Sequence, residues 1–119
     1  MRNGALQPAN DCLALAREVA GADTAFFHQL LTAFVQDCSA RAQATAAAQR
    51  TGDWHEAARL LHSLKGSALS IGANNMAHAA AQAQRAMESA DREAARDAMA
   101  AFYHEFDTVL AAIRREGVG

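Results

Sequence analysis

Between residues 53 and 71 the apolar side chains Trp54, Ala57, Leu61, Leu64, Ala68 and Ile71 recur at intervals of three and four. That spacing lines one face of an α-helix. The same rhythm returns near the C-terminus in Ala95, Met99, Phe102, Phe106, Val109 and Ile113, and earlier in Phe27, Leu30, Leu31, Phe34 and Cys38. No segment alternates with period two, so no strand is predicted. Helix boundaries follow from the residues between these stripes. Gly21 ends a short helix running from Asp11 to Ala20, and Asp23 supplies an N-cap for a long helix reaching Gln49. Thr51 and Gly52 make a turn, after which Asp53 and Glu56 form a D-x-x-E start close to a capping box. Gly72 closes that third helix from the C-terminal side. Asn74 or Asn75 is placed to cap a fourth helix ending at Glu88, and the last helix runs from Asp91 to Arg115.

Short connections between long amphipathic helices imply antiparallel neighbours. The expected fold is therefore all-α: an up-and-down antiparallel four-helix bundle with an additional short N-terminal helix. Residues 1–10, which hold the only proline, Pro8, read as a leader, and residues 11–116 as the bundle domain. Composition agrees, because 32 of the 119 residues are Ala while Val and Ile together supply six. Alanine is the best helix former, and β-branched residues carry the strand signal. The Ala-rich run from Ala40 to Ala48 keeps a helical period.

Charge is balanced, with 11 basic and 13 acidic residues. There is no basic stripe of the kind that tracks a phosphate backbone, which argues against nucleic acid as a partner. Cys12 and Cys38 lack a C-x-x-C spacing and are expected as buried small hydrophobes, with no disulfide indicated. No apolar run approaches the roughly 18 residues of a membrane span, and no signal peptide is visible. The expected compartment is the cytoplasm.

Chemistry concentrates on the third helix. At about 100° per residue, His62 lies roughly 140° from the centre of the apolar stripe and is expected to face solvent. Lys65 and Gly66, three and four residues on, share its face. With His55, Ala58 and Leu69 they make an exposed strip carrying an imidazole and an ammonium on a partly apolar surface. Lys65 is the chain's only lysine beside ten arginines. Gly66 costs roughly 1 kcal/mol relative to alanine inside a helix. In so alanine-rich a chain, an exposed mid-helix glycine points to something that approaches the backbone closely.

The stretch His62-Ser63-Leu64-Lys65-Gly66, with Gly72 ten residues after the histidine on a helix opened by Gly52-Asp53-Trp54, resembles the histidine-containing phosphotransfer (HPt) domain of phosphorelays. The resemblance covers nearly the whole chain. It implies that His62 is the phosphorylated residue, that Lys65 neighbours the phosphoryl group, and that Gly66 leaves room for a partner, with Ala58 and Leu69 beside it. Gly72-Ala73 matches the family's helix end, and Met76 occupies its usual leucine slot. Ala79 and Ala83 stand where larger apolar residues are common, and Gln84 where an acid is frequent. The implied partners are a response-regulator receiver domain, which supplies Mg²⁺ and the acceptor aspartate, and a hybrid sensor histidine kinase. A monomer with no cofactor or metal of its own is expected. Between a free-standing shuttle and the C-terminal module of a hybrid kinase, Met1 and the absence of a kinase pattern lean to the former.

The residue types suit that chemistry independently. Imidazole is largely neutral at pH 7, so a ring nitrogen can attack a phosphoryl centre. Lysine, a flexible point charge, offsets the added charge without the bidentate grip of arginine. No glycine-rich nucleotide loop, Walker lysine or Mg²⁺ carboxylate set is present, so a phosphocarrier is expected rather than a kinase. A metal or haem bundle would use E-x-x-H or paired inward histidines; none of the five histidines has Glu three residues before it. The third reading is an adaptor bundle in which Leu69 and Ala58 bind a partner helix. His28, His55, His78 and His104 read as structural or solvated, with His55 able to tune His62 from two turns away. Trp54 reads as a core anchor at the helix start, and Met76, Met87 and Met99 as core filler.

Overall fold

A computed structural model describes residues 11–118. These form five helices, α1 (Ala14–Ala20), α2 (Thr24–Thr51), α3 (Trp54–Ile71), α4 (Asn74–Glu88) and α5 (Arg92–Arg115), with no strand among the described residues. The expected leader, residues 1–10, lies outside them. α2 to α5 follow one another as a bundle, in which α3 packs on α1, α2 and α4. The α3–α4 seam is the closest. Small buried side chains allow that approach: Ala57, Ala58 and Ala68 on α3, and Ala77, Ala79, Ala80 and Ala83 on α4. α2 and α5 meet instead through aromatics, with the Phe34 and Phe106 rings 6.5 Å apart edge to face. α1 packs on α2 and α3, and Arg17 ties it to the C-terminal end of α5 through Glu116 at 2.8 Å.

Local capping explains most boundaries. Asp23 Oδ1 accepts the Phe26 N–H at 2.9 Å, and Asp91 Oδ1 accepts from Glu93 and Ala94, both at 3.1 Å. α1 starts later than the sequence predicts. Asp11 first folds into a turn, its side chain accepting the Leu13 N–H and its carbonyl the Ala14 N–H. Asp53 caps α3 by accepting the Glu56 N–H at 3.2 Å, but the box stays half-made. The Asp53 N–H is already given to the Ala48 carbonyl, and the Glu56 side chain turns to Arg59. Neither Asn74 nor Asn75 caps α4. Its N-cap is Ala73, without a side-chain bond, because the Ala77 N–H already returns to the Ala73 carbonyl at 3.0 Å and puts both asparagines inside the first turn. Cys38 is fully buried, which pushes its thiol up to about 11. Cys12, expected in the core, is only half-buried, and both are free thiols.

Gly72 does two jobs. Its φ of 94° is left-handed, letting the Ala73 N–H return to the Ala68 carbonyl and end α3. A Cβ at this position would also stand 2.9 Å from the Leu15 backbone nitrogen in α1. Gly72→Ala is therefore expected to lose about 2–4 kcal/mol of unfolding free energy, combining left-handed strain with overpacking against backbone. Gly52→Ala is the control. It shares the left-handed φ, 76°, but meets nothing within 4 Å, so its loss stays at about 1–2 kcal/mol. Urea denaturation of the two variants measures the difference, and equal losses would remove the α1 contact from the account.

Candidate functional site

The buried residues of α3 cover Ala57, Ala58, Leu60, Leu61, Leu64, Ala68 and Ile71, leaving a solvent-facing strip along the helix. His62 and Gly66 lie exposed on it, and Leu69 is 46% exposed. Lys65 is half-buried at the strip's border, as its place closer to the apolar stripe dictates; a long stem packs along such a border while its ammonium stays wet. A Cβ built on Gly66 meets nothing within 4 Å, so packing inside the molecule does not require glycine there. Among the described residues no ion pair or side-chain hydrogen bond engages His62 or Lys65.

Ala58 departs from expectation. It is 6% exposed, not part of an open strip. It lies on the flank of α3 that α4 covers, and a methyl group is small enough to be closed over by that helix. Its role is the floor of a groove of about 500 Å³ between α3 and α4. His55, Arg59 and His62 border the groove on the α3 side, and Gln84, Met87 and Glu88 on the α4 side. Trp54, expected wholly in the core, is half-buried at one end of this groove, with the Arg92 guanidinium 5.9 Å from its ring centroid. Cations favour such a ring face.

Electrostatically the groove is mixed. Arg59 donates from Nε and Nη2 to the two carboxylate oxygens of Glu56 at 2.8 and 2.7 Å. That guanidinium holds the Glu56 carboxyl below the usual carboxylate range. Across the groove, Glu88 Oε2 accepts from Gln84 Nε2 at 3.1 Å. Among the described residues no group of three or more His, Cys, Asp or Glu side chains is placed to hold a metal ion. No described helix is long and apolar enough to cross a membrane.

An exposed, unengaged imidazole with a cation one turn away, on a helix face opened by glycine, can form and release a bond to a small electrophile delivered by a large partner. A model of the Hpt domain matches residues 29–116. The chain belongs to the Hpt domain family. Comparison with curated proteins and with solved structures gives no match. Membership implies histidine phosphotransfer in phosphorelay signalling; Hpt domains are phosphocarriers rather than kinases, and they work with response-regulator receivers. The Hpt match begins inside α2 and ends just past α5, so α1, the helix held against Gly72, precedes it.

Sequence reasoning overlooked Arg59, Glu88 and Met87 as neighbours of His62. Arg59 had a signal, since it stands three residues before the histidine on the same helix surface. The α4 residues had none, because which side of α4 faces α3 is a property of the packed bundle.

Proposed function

We propose that His62 carries the phosphoryl group of this Hpt domain, exchanging it with an aspartate of a response-regulator receiver. The observation that supports this most is the exposed His62 imidazole, unengaged by other side chains, with Lys65 and Gly66 on the same face of α3. A lone pair on a neutral ring nitrogen attacks the phosphorus of the receiver's aspartyl phosphate. The P–O bond breaks, the carboxylate leaves, and an N–P bond forms. The reverse step returns the group to an aspartate. The ammonium of Lys65 offsets the charge on the phosphoryl oxygens, and Mg²⁺ belongs to the receiver's acidic pocket. Transfer then depends on holding nitrogen, phosphorus and oxygen in line, for which the open surface at Gly66 and the exposed Leu69 serve as docking contacts. The domain makes no phosphate from nucleotide, acts as a monomer in the cytoplasm, and receives its phosphoryl group by a route that begins at a hybrid sensor kinase.

The test is to incubate the protein with acetyl phosphate or a phosphorylated receiver and to map the acid-labile label by mass spectrometry under alkaline conditions. The label is expected on the peptide containing His62. A label on another histidine, or none from either donor, overturns the assignment. For Lys65, removal of the charge in Lys65→Ala is expected to slow receiver transfer roughly tenfold, the scale of one charge-assisted hydrogen bond. Lys65→Arg is expected to fall between the two. Equal rates for all three proteins, measured by rapid quench, would make the lysine incidental.

A further inference from the structure

Glu56, Arg59, His62 and Lys65 follow one another at intervals of three. Residues three apart are neighbours on a helix surface, so they form one ladder of acid, cation, imidazole and cation. A phosphoryl group on His62 would have a cation one turn away on each side. The two cations differ in what holds them. Among the described residues Lys65 has no carboxylate within ion-pair distance. Arg59 is engaged fork on fork by Glu56, through two bonds of 2.7 and 2.8 Å.

We propose that Arg59 is a second phosphate-facing cation, held back by Glu56 in the resting protein and shared between Glu56 and the phosphoryl group once His62 is charged. This rests on His62 being the phosphoacceptor. Arg59 and His62 border the same groove. Helical side chains lean toward the N-terminus, a direction that brings a group on His62 toward the turn that carries Arg59. The Glu56–Arg59 pair is solvated, its side chains 39% and 60% exposed. Exposed pairs of this kind contribute little to stability, so exchange of partner costs little. A phosphoryl group presents three acceptor oxygens and close to two negative charges, against the single charge of Glu56. The planar guanidinium suits either.

The competition has a use. An unrestrained arginine would clamp the phosphoryl group bidentately and slow its departure. Glu56, reaching for the same fork, keeps the group transferable while leaving some neutralisation in place. The remaining charged or titratable neighbours of the groove are Lys65 and His55 on α3, Glu88 on α4, and Arg92 of α5, which lies over the Trp54 ring at the groove's end. None of them is altered in the variants below.

The test is a ³¹P NMR titration of the phosphohistidine resonance on protein charged with acetyl phosphate. A nearby cation favours the dianion, so Arg59→Gln is expected to raise the phosphoryl titration midpoint by about half a pH unit, with Arg59→Lys between it and wild type. Glu56→Gln, which frees the arginine, is expected to lower the midpoint. In the Arg59→Gln background the Glu56→Gln shift is expected to fall to less than half, the coupling of a pair that acts together. A midpoint indifferent to Arg59, or an equal Glu56→Gln shift with and without Arg59, overturns the inference. The control separates it from the proposal it rests on. No resonance on wild type, or one that persists in His62→Gln, overturns the phosphoacceptor assignment and this inference together; a His62-dependent resonance that ignores Arg59 overturns the arginine's role alone.

Discussion

His62→Gln is expected to abolish acid-labile phosphorylation while leaving the fold intact. The side chain is exposed on α3, makes no hydrogen bond to other side chains among the described residues, and lies off the buried stripe. Surface substitutions of that kind change stability by about 0.5 kcal/mol or less. Glutamine keeps a polar side chain and a good helix propensity, but its amide nitrogen has no available lone pair for attack on phosphorus. Loss of label is therefore expected to be complete, with the helical circular-dichroism signal and the melting temperature close to wild type. Undiminished acid-labile phosphate on the variant would move the phosphoacceptor elsewhere. A collapsed fold would show that His62 supports the bundle in a way its exposure does not reveal.

Gly66→Leu is expected to move stability and function in opposite directions. Leucine is a better helix former than glycine by about 0.5–1 kcal/mol at an exposed interior position. An added side chain here starts in open space, with nothing within 4 Å of its Cβ. The variant is thus expected to melt about 2–5 °C higher. Yet the new side chain stands one turn from His62, on the surface where a receiver must bring its aspartate into line. A misplacement of about 1 Å can cost roughly a hundredfold in rate, so receiver transfer is expected to fall by about that factor. Acetyl phosphate, which needs no docking, is expected to label His62 as before. Unchanged receiver transfer would mean that the partner does not approach over Gly66. A lower melting temperature would mean that this face of α3 is covered.

The contrast between Gly66 and Gly72 shows how far local pattern reaches. Both were legible as special, one because it interrupts a helix and the other because it ends one. For Gly72 the pattern carried the left-handed turn but not the approach of α1 to 2.9 Å of an added Cβ, since α1 lies more than fifty residues away in the chain. For Asn74 and Asn75 residue type misled. Asparagine is a strong N-cap in general, but the first helical bond already runs from the Ala77 N–H to the Ala73 carbonyl, which leaves both asparagines inside the helix. At Ala58 the helical wheel put a small apolar residue on the exposed strip, and only the position of α4 shows that it is buried.

By itself the sequence determined the five helices, the all-α bundle, and the solvent-facing placement of His62, Gly66 and Leu69 on one helix. Those features depend on periods of three and four residues and on glycines at helix ends, interactions within a few residues of each other. Tertiary structure alone decided that Ala58 is floor rather than surface, that Trp54 borders the groove, and that Gln84, Met87 and Glu88 face His62 across it. The physical reason is the same in each case. A helix repeat states which residues share a face, but how closely another helix comes to that face depends on side-chain volumes contributed by both, and those meet only when the chain has packed.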